Sequence, residues 1–184
     1  QKEGVDAEFV GHPLLEVVGS GLDRKGFCKR YGIDPTKRIL GLLPGSRKQE
    51  IEKIFPEMLK AARTIAEEQD MEVAVAVAPT LEARYFEAFY NLAGIHLVKG
   101  VSYEVMQHAE FALVTSGTAT LETGLFGTPM LVVYKTSWLT YLIGRLLIRV
   151  KNIGLGNIVA GKQSGPEGRQ HKATGSAMAK EVLR

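Results

Sequence analysis

Cysteine is almost missing: Cys28 stands alone among 184 residues. No disulfide can close within the chain, a cysteine-rich metal site is excluded, and the usage fits a reducing compartment. Cys28 has little support as a nucleophile, because it lies in the polar, charged stretch Asp23 to Arg30 and a lone cysteine is more often inert. The four histidines, His12, His96, His108 and His171, lack ligand spacing, and no Asp-x-Asp pair stands near the turns singled out below, so no metal is expected. Charge of one sign is scarce too. Lys and Arg number 23 against 20 Asp and Glu, a formal +3 that is too mild to argue for nucleic acid unless clustered. Walker-type loops and the dinucleotide fingerprint are absent, so a nicotinamide is not expected and no cofactor is assigned. Gln1 to Ala7 is polar and acidic where a signal peptide needs an apolar core. The first residue is not Met, so a fragment or processed product is expected.

What is present is the composition of a globular protein, 45% hydrophobic and 23% charged. That length and composition suffice for a real core in one domain, two small ones being the alternative. Phe111 to Val133 organises the rest. An apolar run of strand length, Phe111 to Val114, meets the small hydroxylated turn Thr115-Ser116-Gly117-Thr118. A short helical segment carrying Glu122 follows, and after Gly127-Thr128-Pro129 a second apolar run, Met130 to Val133, closes the unit. Strand, small-residue turn, helix and strand present backbone N–H groups to an anion. The hydroxyls of Ser116, Thr118 and Thr120 can cap the helix or donate to oxygen, and Gly117 allows close approach. Glu122 lies four residues after Thr118, one turn down the same face. The functional reading is a diphosphate at the turn and a pair of sugar hydroxyls on Glu122. The bland one is a helix cap and a carboxylate answering the helix dipole.

A second turn of the same kind shifts the balance. Arg38 to Leu43 (RILGLL) is a continuous apolar run, as expected for a strand buried on both faces, and it ends at Pro44-Gly45-Ser46-Arg47. Arg47 offers a guanidinium that grips two phosphate oxygens, or else a solvated partner for Glu50 or Glu52. The diphosphate charge would then be met by helix N-termini and Arg47 rather than by a divalent ion. Helical spacing from Ile51 to Ala66 follows, with Pro56 marking a kink or a restart at a first turn. Glu72 to Ala78 is a strand, Leu81 to Leu92 a helix, Ile95 to Val98 a strand and Tyr103 to Ala109 a short helix. Such alternation predicts an α/β fold, a Rossmann-like parallel sheet with helices on both faces. Ligands in these sheets bind at the carboxyl ends of the strands, where both turns sit.

The flanks differ. Gly19 to Lys37 reads as a linker or surface helix-loop, so residues 1–37 are expected to lead into a main domain over 38–184. Thr136 to Ile158 holds an almost wholly apolar helix interrupted by Arg145, Arg149 and Lys151, and shorter than the ~20 apolar residues of a span. It is either a covered helix or an interfacial one, with Trp138, Arg145, Arg149 and Lys151 at a membrane surface. Gln163 to Arg184 is polar and ends in a helix from Ala177 to Leu183.

The ordered set VGHPL (Val10 to Leu14), LLPGSR (Leu42 to Arg47) with Glu50-Ile51, SGTATLE (Ser116 to Glu122), Pro129-Met130, Val133-Tyr134, Asn157-Ile158 and Pro166-Glu167 with Gln170 resembles the lipid-A-disaccharide synthase family. The resemblance covers nearly the whole chain and implies the carboxyl-terminal half of a two-domain GT-B glycosyltransferase of family 19. It implies transfer of 2,3-diacylglucosamine from a UDP-2,3-diacylglucosamine donor to an acylated glucosamine phosphate acceptor, giving lipid A disaccharide 1-phosphate and UDP. The place implied is peripheral, on the cytoplasmic face of the bacterial inner membrane. The acceptor site and catalytic base would lie in the other domain, so no catalytic residue is assigned here. By resemblance Gly45, Ser46 and Arg47 touch the donor phosphates, and Ser116, Gly117, Thr118 and Thr120 form the diphosphate turn. Glu122 meets the ribose, and Asn157, Glu167 and Gln170 close the cleft. A homodimer exchanging carboxyl-terminal elements is a further expectation. Two alternatives stand beside this: a non-catalytic membrane-docking module, and a related UDP-sugar 2-epimerase or undecaprenyl-type transferase.

Overall fold

The apolar runs become strands buried from both sides. In the computed structural model, which describes residues 21–134, 167–169 and 174–184, β1 (Arg38–Leu43) is buried from Ile39 onward. β2 (Met71–Val77), β3 (Ile95–Lys99), β4 (Phe111–Thr115), β5 (Met130–Tyr134) and a short β6 (Glu167–Arg169) complete a sheet in the order β3-β2-β1-β4-β5-β6. Every pairing is parallel, with Leu42 opposite Val75 and Leu43 opposite Val114. The helices among the described residues are α1 (Arg24–Tyr31), α2 (Lys48–Gln69), α3 (Ala83–Phe89), α4 (Ser102–His108), α5 (Thr118–Leu125) and α6 (Gly175–Val182).

Side-chain alternation along the strands builds two cores, one on each face. Leu40, Leu42, Val73, Val75, Val77, Leu113 and Leu131 meet Ile51, Phe55 and Met58 of α2, Phe86 of α3 and Met178 of α6. Ile39, Leu43, Ala74, Ala76, Ala112 and Val114 meet Phe27 and Cys28 of α1 and Val105 and Met106 of α4. The Val/Ala alternation of β2 thus puts its large residues under α2 and its small ones toward α4. At Gly41 the approach is tightest. A Cβ there would stand 3.1 Å from Ala109 Cβ and 3.2 Å from Val105 Cγ1, so α4 lies directly on β1.

The expected sheet is therefore present, with four differences. First, α1 is more than a surface helix in a linker. Asp23 caps it, Gly32 ends it with φ 67°, and Phe27 and Cys28 are fully buried in the core it shares with β1 and β2. The described part of residues 1–37 hence joins the core that begins at Arg38. Arg24 fastens this helix by donating to the carbonyls of His108 (2.9 Å) and Lys37 (2.6 Å). His96 lies between the Tyr31 carbonyl (3.0 Å) and the Glu72 carboxylate (2.7 Å), and His108 Nε2 stands 2.9 Å from the Leu22 carbonyl. Burial pushes the Cys28 thiol up, which suits an inert side chain.

Second, α2 runs unbroken through Pro56 with no restart. The imide costs one helical bond to the Glu52 carbonyl, but Ile51, Ile54 and Phe55 before it and Met58, Leu59 and Ile65 after it are all buried and hold both halves to the sheet. Third, α3 covers only Ala83–Phe89 of the expected helix from Leu81 to Leu92. Fourth, β6 was not legible, because Glu-Gly-Arg is a poor strand former that owes its place to pairing with β5. No helix of the described residues is long and apolar enough to cross a membrane.

Candidate functional site

β1 and β4 are neighbours, although β2 and β3 intervene in sequence. The chain leaves β1 to one side and returns to its other side, which opens a crevice at the carboxyl ends of these two strands. Both small-residue turns lie there. They are adjacent: a Cβ on Gly45 would be 3.9 Å from Thr115 Cγ2, and 3.2 Å from Glu50 Oε2. Gly45 has φ 102°, a conformation that other residues adopt only with strain, so glycine is needed for the turn itself. Gly117 differs. Its φ of 167° is ordinary extended backbone, and a Cβ would meet only the Thr115 carbonyl at 4.0 Å. At that position the glycine keeps room above the turn rather than shaping it.

Each turn feeds directly into a helix, α2 after Arg47 and α5 after Gly117. Arg47 is the N-cap position of α2 and makes no capping bond, and Gly117, which has no side chain, is that of α5. Among the other described helices, α1 and α6 are capped by Asp23 and Thr174, whereas the N-cap residues of α3 and α4 make no capping bond. Thr118 and Thr120 lie inside α5, past its N-cap position. Thr120 is buried, and its hydroxyl donates to the Gly117 carbonyl at 2.7 Å, which secures the turn. Ser116 is half-buried, with its N–H donating to the Val133 carbonyl at 2.9 Å. Thr118 is exposed. The buried Thr115 hydroxyl, where β4 meets the turn, has no hydrogen-bond partner among the described residues.

Charged and polar groups rim the turns. Ser46 and Arg47 are exposed, and Arg47 donates to Glu50 Oε1 at 3.0 Å with its side chain 80% accessible. The solvated ion pair foreseen as an alternative is therefore formed. Exposed pairs of this kind contribute about 0–1 kcal/mol, so Glu50 holds the guanidinium only weakly. Thr80 donates to the Ser46 carbonyl at 3.4 Å and braces the first turn from the end of β2. Next to it, Tyr85 donates to Glu52 at 3.0 Å, and Lys48 lies over its ring at 5.5 Å. Burial, then the Glu52 carboxylate, push the Tyr85 phenol up to about 12.

Glu122 is half-buried in the second turn of α5, where the helix dipole at the N-terminus acts weakly. Its Oε1 accepts from the Tyr103 hydroxyl at 3.3 Å. Burial and the Glu122 charge push the Tyr103 phenol upward. Sequence reasoning missed Tyr103 and Thr80. The usable signal was position, since both follow the carboxyl end of a strand and so reach the rim that carries the turns. Glu167 lies on β6 opposite Val132. Asn157, Gln170 and the membrane-contact set Trp138, Arg145, Arg149 and Lys151 fall outside the described residues.

The family model for lipid-A-disaccharide synthetase matches residues 1–184. The chain belongs to the lipid-A-disaccharide synthetase family. Curated relatives named lipid-A-disaccharide synthase agree. That of Syntrophus aciditrophicus is 44% identical over all of this chain and 49% of its own length, and that of Geobacter metallireducens is 37% identical over the same shares. The chain thus spans about half the length of the family members it matches. Solved structures show the fold. The spinosyn rhamnosyltransferase SpnG, complexed with spinosyn aglycone, aligns at TM-score 0.55 and 15% identity over 90% of this chain and 40% of its own. A UDP-GlcNAc 2-epimerase from Neisseria meningitidis bound to UDP-GlcNAc aligns at TM-score 0.53 and 14% identity over 92% and 42%. This family member is a Rossmann-like α/β unit, the carboxyl-terminal half of the GT-B architecture.

Proposed function

We propose that this chain is the donor-binding half of a glycosyltransferase that moves 2,3-diacylglucosamine from UDP-2,3-diacylglucosamine to 2,3-diacylglucosamine 1-phosphate, releasing UDP. One observation carries the proposal: two helices start from adjacent turns at the switch point of the sheet, and neither N-cap residue, Arg47 or Gly117, caps its own helix. Their N-termini suit a pyrophosphate, which bears charge on both phosphoryl groups. Arg47 exchanges Glu50 for a phosphate oxygen, and Glu122 accepts from ribose hydroxyls. As the bond to the departing UDP lengthens, negative charge grows on its distal phosphate, where the helix N-termini and Arg47 stabilise it. Family membership supports the acylated substrates, and acyl chains favour a reaction at the cytoplasmic face of the inner membrane.

Isothermal titration of the chain with UDP tests this. Arg47→Ala and Glu122→Ala are each expected to weaken binding about tenfold, the size of one charge-assisted hydrogen bond. Unchanged affinity in both variants overturns the site.

A further inference from the structure

We propose that Tyr103 is a positioning residue for Glu122, holding the carboxylate so that its second oxygen faces the ribose hydroxyls of a bound uridine nucleotide. The inference rests on the donor site described above and extends it to a residue outside both turns. Tyr103 is the second residue of α4, just past the exit of β3 at Lys99-Gly100. It therefore approaches the crevice from a third strand end. α5 holds its side chain at two points. Phe126 packs against the ring, with centroids 5.8 Å apart, and Glu122 accepts from the hydroxyl at 3.3 Å. Glu122 and Phe126 are four residues apart on α5, one turn, so ring and hydroxyl are gripped by the same helix face.

The chemistry follows from donor and acceptor counts. A phenol has one O–H to donate, and a carboxylate has two oxygens that only accept. Donation to Oε1 fixes the plane of the carboxylate and leaves Oε2 to accept from the ribose 2′-hydroxyl, a donor. Among the described residues Glu122 has no other side-chain partner. Without Tyr103 the carboxylate samples several rotamers before binding, and selecting one from them weakens the ribose contact. The 3.3 Å separation is long for an O–H···O bond. Such contacts commonly tighten when a ligand completes the network.

Titration of the chain with UDP and with 2′-deoxy-UDP separates positioning from a simple tie between helices. The parent chain is expected to prefer UDP about tenfold, and Glu122→Ala to bind both nucleotides alike. Tyr103→Phe, which keeps the ring against Phe126, should cut the preference to about two- to threefold while leaving the 2′-deoxy-UDP affinity and the melting temperature unchanged. An undiminished preference in Tyr103→Phe overturns the inference alone. So does equal weakening toward both nucleotides, which marks a structural tie. A missing preference in the parent, or one that survives Glu122→Ala, sinks the ribose assignment itself.

Discussion

Gly45 and Gly117 stand on adjacent turns and use the lack of a side chain differently. At Gly45 the backbone has φ 102°, and an added methyl would also press on Glu50 Oε2 at 3.2 Å. Gly45→Ala is expected to lower unfolding free energy by about 1–2 kcal/mol in urea titrations. Gly117→Ala meets only the Thr115 carbonyl at 4.0 Å, so stability should shift by less than about 0.5 kcal/mol. Its methyl would stand where the diphosphate is proposed to lie, so UDP affinity should fall all the same. A stable Gly117→Ala protein with full UDP affinity would argue against that placement. Tyr85 adds a pH dependence. Its phenol titrates near 12 in the folded chain against 10.0 without the fold, so between those values the unfolded chain releases the proton first. Stability contributed by Tyr85 is complete below pH 10.0 and is lost as pH rises toward about 12. Tyr85→Phe should flatten the alkaline arm of a melting-temperature profile and remove a phenol that ionises near 12 in an absorbance titration.

At the scale of elements, α6 depends on α2 for its start. The Gly175 N–H donates to Glu57 Oε2 at 2.8 Å, and Lys60 holds Glu57 Oε1 at 3.2 Å. A Cβ on Gly175 would stand 2.5 Å from Lys60 Cβ and 3.0 Å from the Glu57 carbonyl oxygen. Gly175→Ala must push the two helices apart and should cost about 1–3 kcal/mol, read in urea unfolding. This is also where sequence patterns stop informing. Strands β1, β2, β4 and β5 announce themselves as apolar runs, and α2 by its spacing, because burial dictates residue type at every turn. α1 is eight residues of which Phe27 and Cys28 alone are buried, too few to set a period. That α2 stays whole across Pro56 is decided by the sheet beneath it. The two turns were visible because Gly45 and Gly117 follow apolar runs directly. Tyr103 was not, since a tyrosine early in a short helix looks the same whether it faces solvent or a carboxylate.

For the whole molecule, the order of strands does what no single residue reveals. Residues 47 and 117 are far apart in the chain, yet the return of β4 to the open side of β1 makes their helix starts neighbours. A ligand bridging them should stabilise the entire sheet. UDP at a hundredfold excess over its dissociation constant adds about 2.7 kcal/mol, or roughly 5–10 °C in melting temperature for a chain of this size. Differential scanning fluorimetry with UDP, and with uridine as the phosphate-free control, checks this; equal shifts from both would place the contact on the nucleoside alone.

The contact at Gly41 reaches further than its position in the middle of the sheet implies. Because β1 carries no side chain there, α4 rests against the strand, and α4 is the helix that brings Tyr103 to Glu122. A single methyl at residue 41 would act as a shim, lifting that helix and drawing the phenol off the carboxylate. Selectivity for ribose over deoxyribose would then fall through a change beneath the crevice, in an atom no nucleotide touches.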